Sequence, residues 1–236
     1  MNVTRAVVFW LFVCCLPLLT VATSLGWAVN EIRLYEYGFD KYQISQATGI
    51  NELELKRIAQ HLIDYFNLGE DSAQIRAVKG GEEFNLFNER ELVHLVDVRD
   101  LIQLDYRVLA GALVVMVICA LVLLLWLKDG WRTPVRGLFW GSLTTFGLVV
   151  VLALWAAFGF EQLFLLFHLV SFSNEFWILN PATDYLIRLF PAEFFYDAAL
   201  FVFGVVLGEA VLVAVAAFGV LRWKGGGVGL ARTGHR

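Results

Sequence analysis

Long apolar runs alternate with polar segments along this chain. Four of them, roughly residues 6 to 29, 107 to 127, 137 to 158 and 197 to 221, are almost free of charge. At about 1.5 Å rise per residue, a helix over each crosses a hydrocarbon core of about 30 Å. The pattern therefore predicts four transmembrane helices. The first run contains Ala22-Thr23-Ser24, which weakly resembles a signal-peptide cleavage site. Its apolar stretch is longer than the roughly 7 to 15 residues of a signal core, so it reads as a retained anchor. Cys14 and Cys15 lack the preceding small residues of a lipobox.

Between the first two runs the periodicity changes. Asn51 and Glu54 have capping-box spacing and open a helix with Leu53, Ile58, Leu62, Ile63 and Phe66 on its apolar side. Residues 74 to 87 read as a short hairpin turning at Gly80-Gly81. Asn88 and Glu91 repeat the capping-box spacing and start a helix that runs on into the second span. Between the third and fourth runs, residues 159 to 196 are too broken for a plain span and too apolar for a plain loop. There Glu161, His168, Ser171 and Glu175 fall on one side of a helix otherwise made of Phe, Leu and Trp, as expected of a segment in the membrane interface. Pro181 and Pro191 each suit the first turn of a new helix, the second opening the fourth span.

The fold class expected is an all-α membrane protein. It has four transmembrane helices, a small extracytoplasmic α+β domain between spans 1 and 2, and an interfacial helical segment between spans 3 and 4. The boundaries are 1–29 for the first span, 30–105 for the external domain and 106–158 for spans 2 and 3 with their loop. The interfacial segment is 159–196, the fourth span 197–222 and the tail 223–236.

Composition agrees: 59% of the 236 residues are hydrophobic, against about 45 to 50% in a soluble domain. Charge sets the orientation, because Lys and Arg gather on the cytoplasmic side. Arg5, Lys128, Arg132, Arg136, Arg222, Lys224, Arg232 and Arg236 flank the spans on one side, with Asp129 the one acid among them. Residues 30 to 105 hold 15 acids and 8 bases, and residues 159 to 197 hold five acids and Arg188 alone. Both termini are thus expected in the cytoplasm and the functional chemistry on the outer face of the cell membrane. A basic inside and an acidic outside argue against nucleic acid as a partner. The three cysteines, Cys14, Cys15 and Cys119, all fall in predicted spans, so the external domain has no disulfide or cysteine-held metal.

Familiar acyl-transfer signatures are absent. There is no GxSxG elbow, no HExxH and no Walker loop. The fifth residue after His94 is Arg99, after His168 is Ser173 and after His61 is Phe66, which excludes a His with an Asp five residues on. Two outer histidines remain. His94 has Glu91 at i−3 and Asp97 at i+3, both within reach on a helix, and a carboxylate neighbour raises an imidazole's proton affinity and fixes its tautomer. The bland alternative is a solvated helix face. His168 sits in LFLLFHLVSF, where an unpartnered ring is costly; the alternative there is a buried ring satisfied by a backbone carbonyl. His61 and His235 receive no role. Glu209, midway along the fourth span, is either functional or hydrogen-bonded to a neighbouring helix.

The blocks TGINELELKRIA, ERELVHLVDVRDLI and FHLVSFSNEFWILNPATDYLIRLFPAEFF, in this order among four spans, resemble the bacterial lipoprotein intramolecular transacylase family over nearly the whole chain. The resemblance implies an enzyme that makes lyso-form lipoproteins. In that reaction the sn-2 acyl chain of a diacylglyceryl-cysteine moves to the α-amino group of the same cysteine. It implies His94 and His168 as the catalytic pair and a diacylated lipoprotein N-terminus and membrane lipid as partners. Glu91, Asp97, Asn174 and Trp177 are expected in support, with no cofactor and no metal. Phe158, Phe160, Phe164, Phe167, Phe172 and Phe176 are expected either to line an acyl-chain site or to form an interfacial aromatic belt. The rival class is a non-catalytic membrane sensor or accessory protein with an extracytoplasmic ligand-binding domain. A metal site of His94, Asp97 and His168 would be a variant of the enzyme. A transporter is disfavoured because Glu209 is the one charge deep in the spans and no inverted repeat appears.

Overall fold

Each of the four apolar runs becomes one long helix in the computed structural model, which describes residues 3–128 and 130–223. Asp129, Lys224, Arg232, His235 and Arg236 lie outside the described residues. The helices are α1 (Val3–Asn30), α5 (Glu89–Leu121, continued by a π-helical turn over Val122–Trp126), α6 (Arg132–Ser171) and α8 (Ala192–Trp223). All four are long and apolar enough to cross a membrane. Many of their large apolar side chains, such as Leu125, Val151 and Leu212, are exposed, which suits helices solvated by lipid. The remaining elements are α2 (Ile32–Lys41), α3 (Ile44–Thr48), α4 (Glu52–Phe66), β1 (Arg76–Lys79), β2 (Glu82–Asn85) and α7 (Tyr185–Leu189). The fold is mostly helical with one two-stranded sheet.

The chain divides into two compact units. The first comprises the described residues within 1–24, 108–152 and 203–236. Within it α1 and α6 approach closely at Gly141, where a Cβ would stand 2.9 Å from Leu16 Cβ and 3.1 Å from the Val13 carbonyl oxygen. Glycine is what permits this contact between helices that have no water to expel. The buried hydroxyls of Ser142 and Thr145 donate to the carbonyls of Leu138 and Gly141 four residues back. Glu209 has a partner on another helix, since Ser24 Oγ donates to its carboxylate at 3.4 Å.

The second unit comprises residues 25–107 and 153–202. In it α4 starts at Asn51, whose side chain accepts the Glu54 N–H at 2.9 Å. The reciprocal arm of that capping box is replaced. The Glu54 carboxylate pairs with Arg57 and accepts the Val78 N–H at 3.1 Å, which ties α4 to β1. Leu53, expected on the apolar side, is 81% exposed. The buried stripe is Leu55, Ile58, Ala59, Leu62 and Phe66, at i, i+3, i+4, i+7 and i+11, and Leu53 lies about two residues, or roughly 200°, away from it. The hairpin has the expected turn: Arg76 pairs with Asn85 and Lys79 with Glu82. Gly80 and Gly81 both take positive φ, 62° and 90°, as a two-residue loop of this type demands.

One apolar core fills this unit. Ile50, Leu55, Ile58 and Leu62 pack with Leu86, Phe87 and Leu95, and with Leu186, Leu189 and Phe190 from the segment before α8. That segment departs from expectation in two places. Glu175 does not continue the helical face of Glu161, His168 and Ser171, because α6 ends at Ser171 and the Asn174 side chain accepts the Phe176 N–H at 3.0 Å, closing an Asx turn. Pro181 lies in a turn in which Thr183 and Asp184 N–H groups bond the Asn180 carbonyl, and α7 begins only at Tyr185. Pro191 immediately precedes α8, as its fixed φ favours. The helix of α6 is itself interrupted at Gly159 (φ −161°, ψ 52°).

Candidate active site

The N-terminus of α5 sets the stage. Asn88 Oδ1 accepts the Glu91 N–H at 3.1 Å and the Glu91 carboxylate accepts the Asn88 N–H at 2.8 Å, a reciprocal capping box. The second Glu91 oxygen accepts the Leu186 N–H at 2.6 Å, and the residue is 1% exposed. Glu91 was expected as a carboxylate partner for His94; its oxygens are instead committed to backbone donors, because the N3 position of a helix aims them at its own cap. Asp184 completes the clamp, accepting the Asn180 N–H at 2.7 Å, the Thr183 hydroxyl at 2.8 Å and the Asn88 side-chain amide at 3.0 Å. Burial alone would raise its pKa, but these donors hold it below the ordinary carboxylate range. The 180–186 segment is thereby fastened to the start of α5.

One turn further along α5 lies His94. It is 7% exposed rather than on a solvated face, and its Nδ1 has no hydrogen-bond partner among the described residues. Its ring centroid is 6.1 Å from that of His168, with the planes at 32°. Phe172 stands against both, 5.0 Å from His94 and 5.6 Å from His168. His168 Nδ1 is 2.8 Å from the Phe164 carbonyl oxygen. A carbonyl only accepts, so this nitrogen carries the hydrogen, and the neutral ring has its lone pair on Nε2. The backbone bond that satisfies the buried ring also selects its tautomer. Phe164 at 4.4 Å, Trp177 at 4.9 Å and Phe167 at 5.3 Å enclose the His168 ring.

Of the residues expected in support, three join the pair. Trp177 packs on His168, and Asn174 Nδ2 donates to Asp97 Oδ2 at 2.8 Å, one turn beyond His94. The Phe rings divide. Phe164, Phe167 and Phe172 touch the histidines, and Phe160 stacks on Phe164 at 5.4 Å and meets Tyr196 at 5.2 Å. Phe167 and Phe176 are about half exposed and Phe158 is 90% exposed. Arg90, unnoticed in the sequence, donates to the Glu175 carbonyl at 2.5 Å and lies 5.8 Å from the Phe176 ring. Its cue is faint, one base in an acidic block. Asp184 carried a better one, the turn-forming Asn-Pro dipeptide four residues before it. Among the described residues no group of three or more His, Cys, Asp and Glu side chains converges to hold a metal ion.

Two imidazoles, one with a defined basic nitrogen, beside a single carboxylate and inside an aromatic enclosure can move protons to and from a substrate.

Comparison with known proteins adds the family. A family model described as the lipoprotein intramolecular transacylase Lit matches residues 10–195. No curated protein matches the chain. Among solved structures, the membrane integral lipoprotein intramolecular transacylase Lit from Bacillus cereus is similar, at 24% identity and a TM-score of 0.79, over 95% of this chain and 99% of that one. Two further structures of that protein, with a histidine replaced by arginine or by alanine, reach TM-scores of 0.75 over 94% of this chain. At this identity the structural likeness concerns the fold.

Proposed function

This chain belongs to the lipoprotein intramolecular transacylase family and is a multi-pass membrane acyltransferase, and from that premise we propose that His94 and His168 move the sn-2 acyl chain of a diacylglyceryl-cysteine to the α-amino group of the same cysteine. The observation that carries this reading is the pair of buried imidazoles 6.1 Å apart, one of them tautomerically fixed by the Phe164 carbonyl.

The α-ammonium titrates near pH 8 and first sheds a proton to solvent. The free amine then attacks the ester carbonyl carbon. The N–C bond forms, the carbonyl π pair moves to oxygen, and His168 Nε2 takes the second proton from nitrogen. His94, protonated in this step, donates to the oxyanion. The intermediate collapses by breaking the bond to the glyceryl oxygen, which takes the proton from the His168 imidazolium. An amide and a free hydroxyl result; the proton that His168 took returns to the hydroxyl, and the one shed by the α-ammonium stays in solvent. A neutral imidazole is a competent base at physiological pH. Amine and ester belong to one molecule, so proximity supplies much of the acceleration and no acyl-enzyme is needed.

The site faces outward in this reading, with both termini in the cytoplasm, supported by the basic residues beside the inner span ends and the acidic surplus of residues 30 to 105. The exposed Leu169, Val170 and Phe176 near His168 would let the acyl chain reach the rings from the outer leaflet.

The test is the N-terminal lipopeptide of a diacyl-lipoprotein strain expressing the chain, its His94→Ala variant or its His168→Ala variant. Transfer leaves the mass unchanged, so fragmentation must place the acyl group on nitrogen or on glycerol. N-acyl, mono-O-acyl product is expected from the wild type, with a loss of about 100-fold or more in each variant. Diacylglyceryl product with a free amine in all three, at equal expression, overturns the reading in favour of a membrane sensor.

A further inference from the structure

Resting on the proposed transacylation, we propose that Asn174 is a positioning residue: its amide holds the Asp97 carboxylate at His94, so that an intact negative charge meets that imidazole whenever it carries a second proton.

The geometry forms a chain of fixed groups. The Phe176 N–H donates to Asn174 Oδ1 at 3.0 Å, and Asn174 Nδ2 donates to Asp97 Oδ2 at 2.8 Å. The first bond decides the orientation of the amide, because a flipped Asn174 would set its NH2 against the Phe176 N–H and its oxygen against a carboxylate. Asp97 in turn stands at i+3 from His94 on α5, within side-chain reach along a helix. Its second oxygen makes no hydrogen bond among the described residues, and His94 Nδ1, buried one turn away, lacks a partner as well. The carboxylate and the ring nitrogen are thus both left with unused capacity on the same stretch of helix.

The kind of group that holds Asp97 matters. No Lys, Arg or His pairs with it among the described residues. A neutral amide fixes the position of a carboxylate without cancelling its charge, whereas an arginine would fix it and neutralise it. This is the holder expected when the charge is required elsewhere, here by an imidazolium that forms in a half-apolar enclosure and has no other anion beside it. The connection also joins the two catalytic segments. Asn174 lies six residues after His168, so the same turn that presents Trp177 to His168 reaches across to the carboxylate that serves His94.

The experiment compares full-length wild type, Asn174→Ala, Asp97→Asn and the exchanged double variant D97N/N174D in proteoliposomes with a synthetic diacylglyceryl lipopeptide. It reads kcat, KM and melting temperature. The expected result for Asn174→Ala is a fall in kcat of about tenfold with KM within about twofold, the signature of a misplaced group rather than a lost binding contact. The exchanged variant rebuilds an N–H to carboxylate bond between the same positions, so its melting temperature returns to that of the wild type. Its kcat stays low, because the carboxylate now stands on the wrong segment. Wild-type kcat in the exchanged variant would make the pair a structural tie and overturn the inference, as would an unchanged kcat in Asn174→Ala. Absence of transfer by the wild type itself would instead overturn the transacylase reading on which the inference rests.

Discussion

Glu91 and His94 sit one turn apart on α5 and are buried to nearly the same degree, 1% and 7% exposed, yet their polar atoms are treated in opposite ways. Both Glu91 oxygens accept backbone N–H groups, one from its own cap and one from Leu186. His94 Nδ1 accepts and donates nothing among the described residues. A buried polar atom without a partner costs about 1 to 3 kcal/mol, and folded proteins leave few of them. The contrast separates two uses of buried polarity. The Glu91 turn spends its hydrogen bonds on holding the 180–186 segment in place, and the His94 turn keeps capacity in reserve for a substrate.

The largest effect on stability is therefore expected at the satisfied turn. Glu91→Ala strips the acceptors from the Asn88 and Leu186 N–H groups, at about 1 to 3 kcal/mol for each donor left dry. Thermal unfolding in detergent should begin earlier by several degrees, and transfer should weaken as well, since Leu186 and the segment carrying Trp177 lose their fastening. A melting temperature equal to that of the wild type would show that water or a neighbouring group replaces the carboxylate, and the comparison would lose its structural half.

The reserve predicts the opposite sign one turn later. His94→Phe keeps a ring of similar shape against Phe172 and deletes the unpaired nitrogen. It should raise stability by about 1 kcal/mol while abolishing transfer. Increased stability with lost activity is the mark of a site whose cost is functional. If the variant unfolds more readily than the wild type, His94 has a hydrogen-bonded structural role and the reserve does not exist.

Much of this was legible in the sequence, for reasons that differ by residue. The spans follow from hydrophobic runs that no soluble core would use, and the Asn51 and Asn88 helix starts follow from side chains that satisfy local backbone groups. The hairpin turn follows from two glycines that take its positive φ angles without steric cost. Such signals are local, and they survive without knowledge of the fold. The pairing of Asn174 with Asp97 spans 77 positions, and that of Glu91 with Leu186 spans 95, so neither leaves a periodic trace. For the same reason the sequence offers Glu91, three residues from His94, as its carboxylate partner, whereas the fold commits that carboxylate to the distant Leu186 N–H. Glu175 and Pro181 failed differently. Helical spacing continues on paper past Ser171, but Asn174 offers the backbone a turn instead, and short polar side chains win that competition at helix ends.

The smallest effect belongs to Asp184 and concerns acid. Three donors hold its carboxyl below the ordinary range despite the opposing influence of burial. A carboxylate with a depressed pKa stabilises the fold fully above its unfolded value, about 3.9, and that contribution is lost as pH falls through the folded value. Asp184→Asn cannot titrate, so its stability should not share this loss. The gap in melting temperature between wild type and variant should be widest above pH 4 and narrow on further acidification. A gap that stays constant down to the acid limit would mean that the Asn180, Thr183 and Asn88 donors hold the shape of this side chain rather than its charge. The clamp would then be steric, and the contrast with His94 would rest on Glu91 alone.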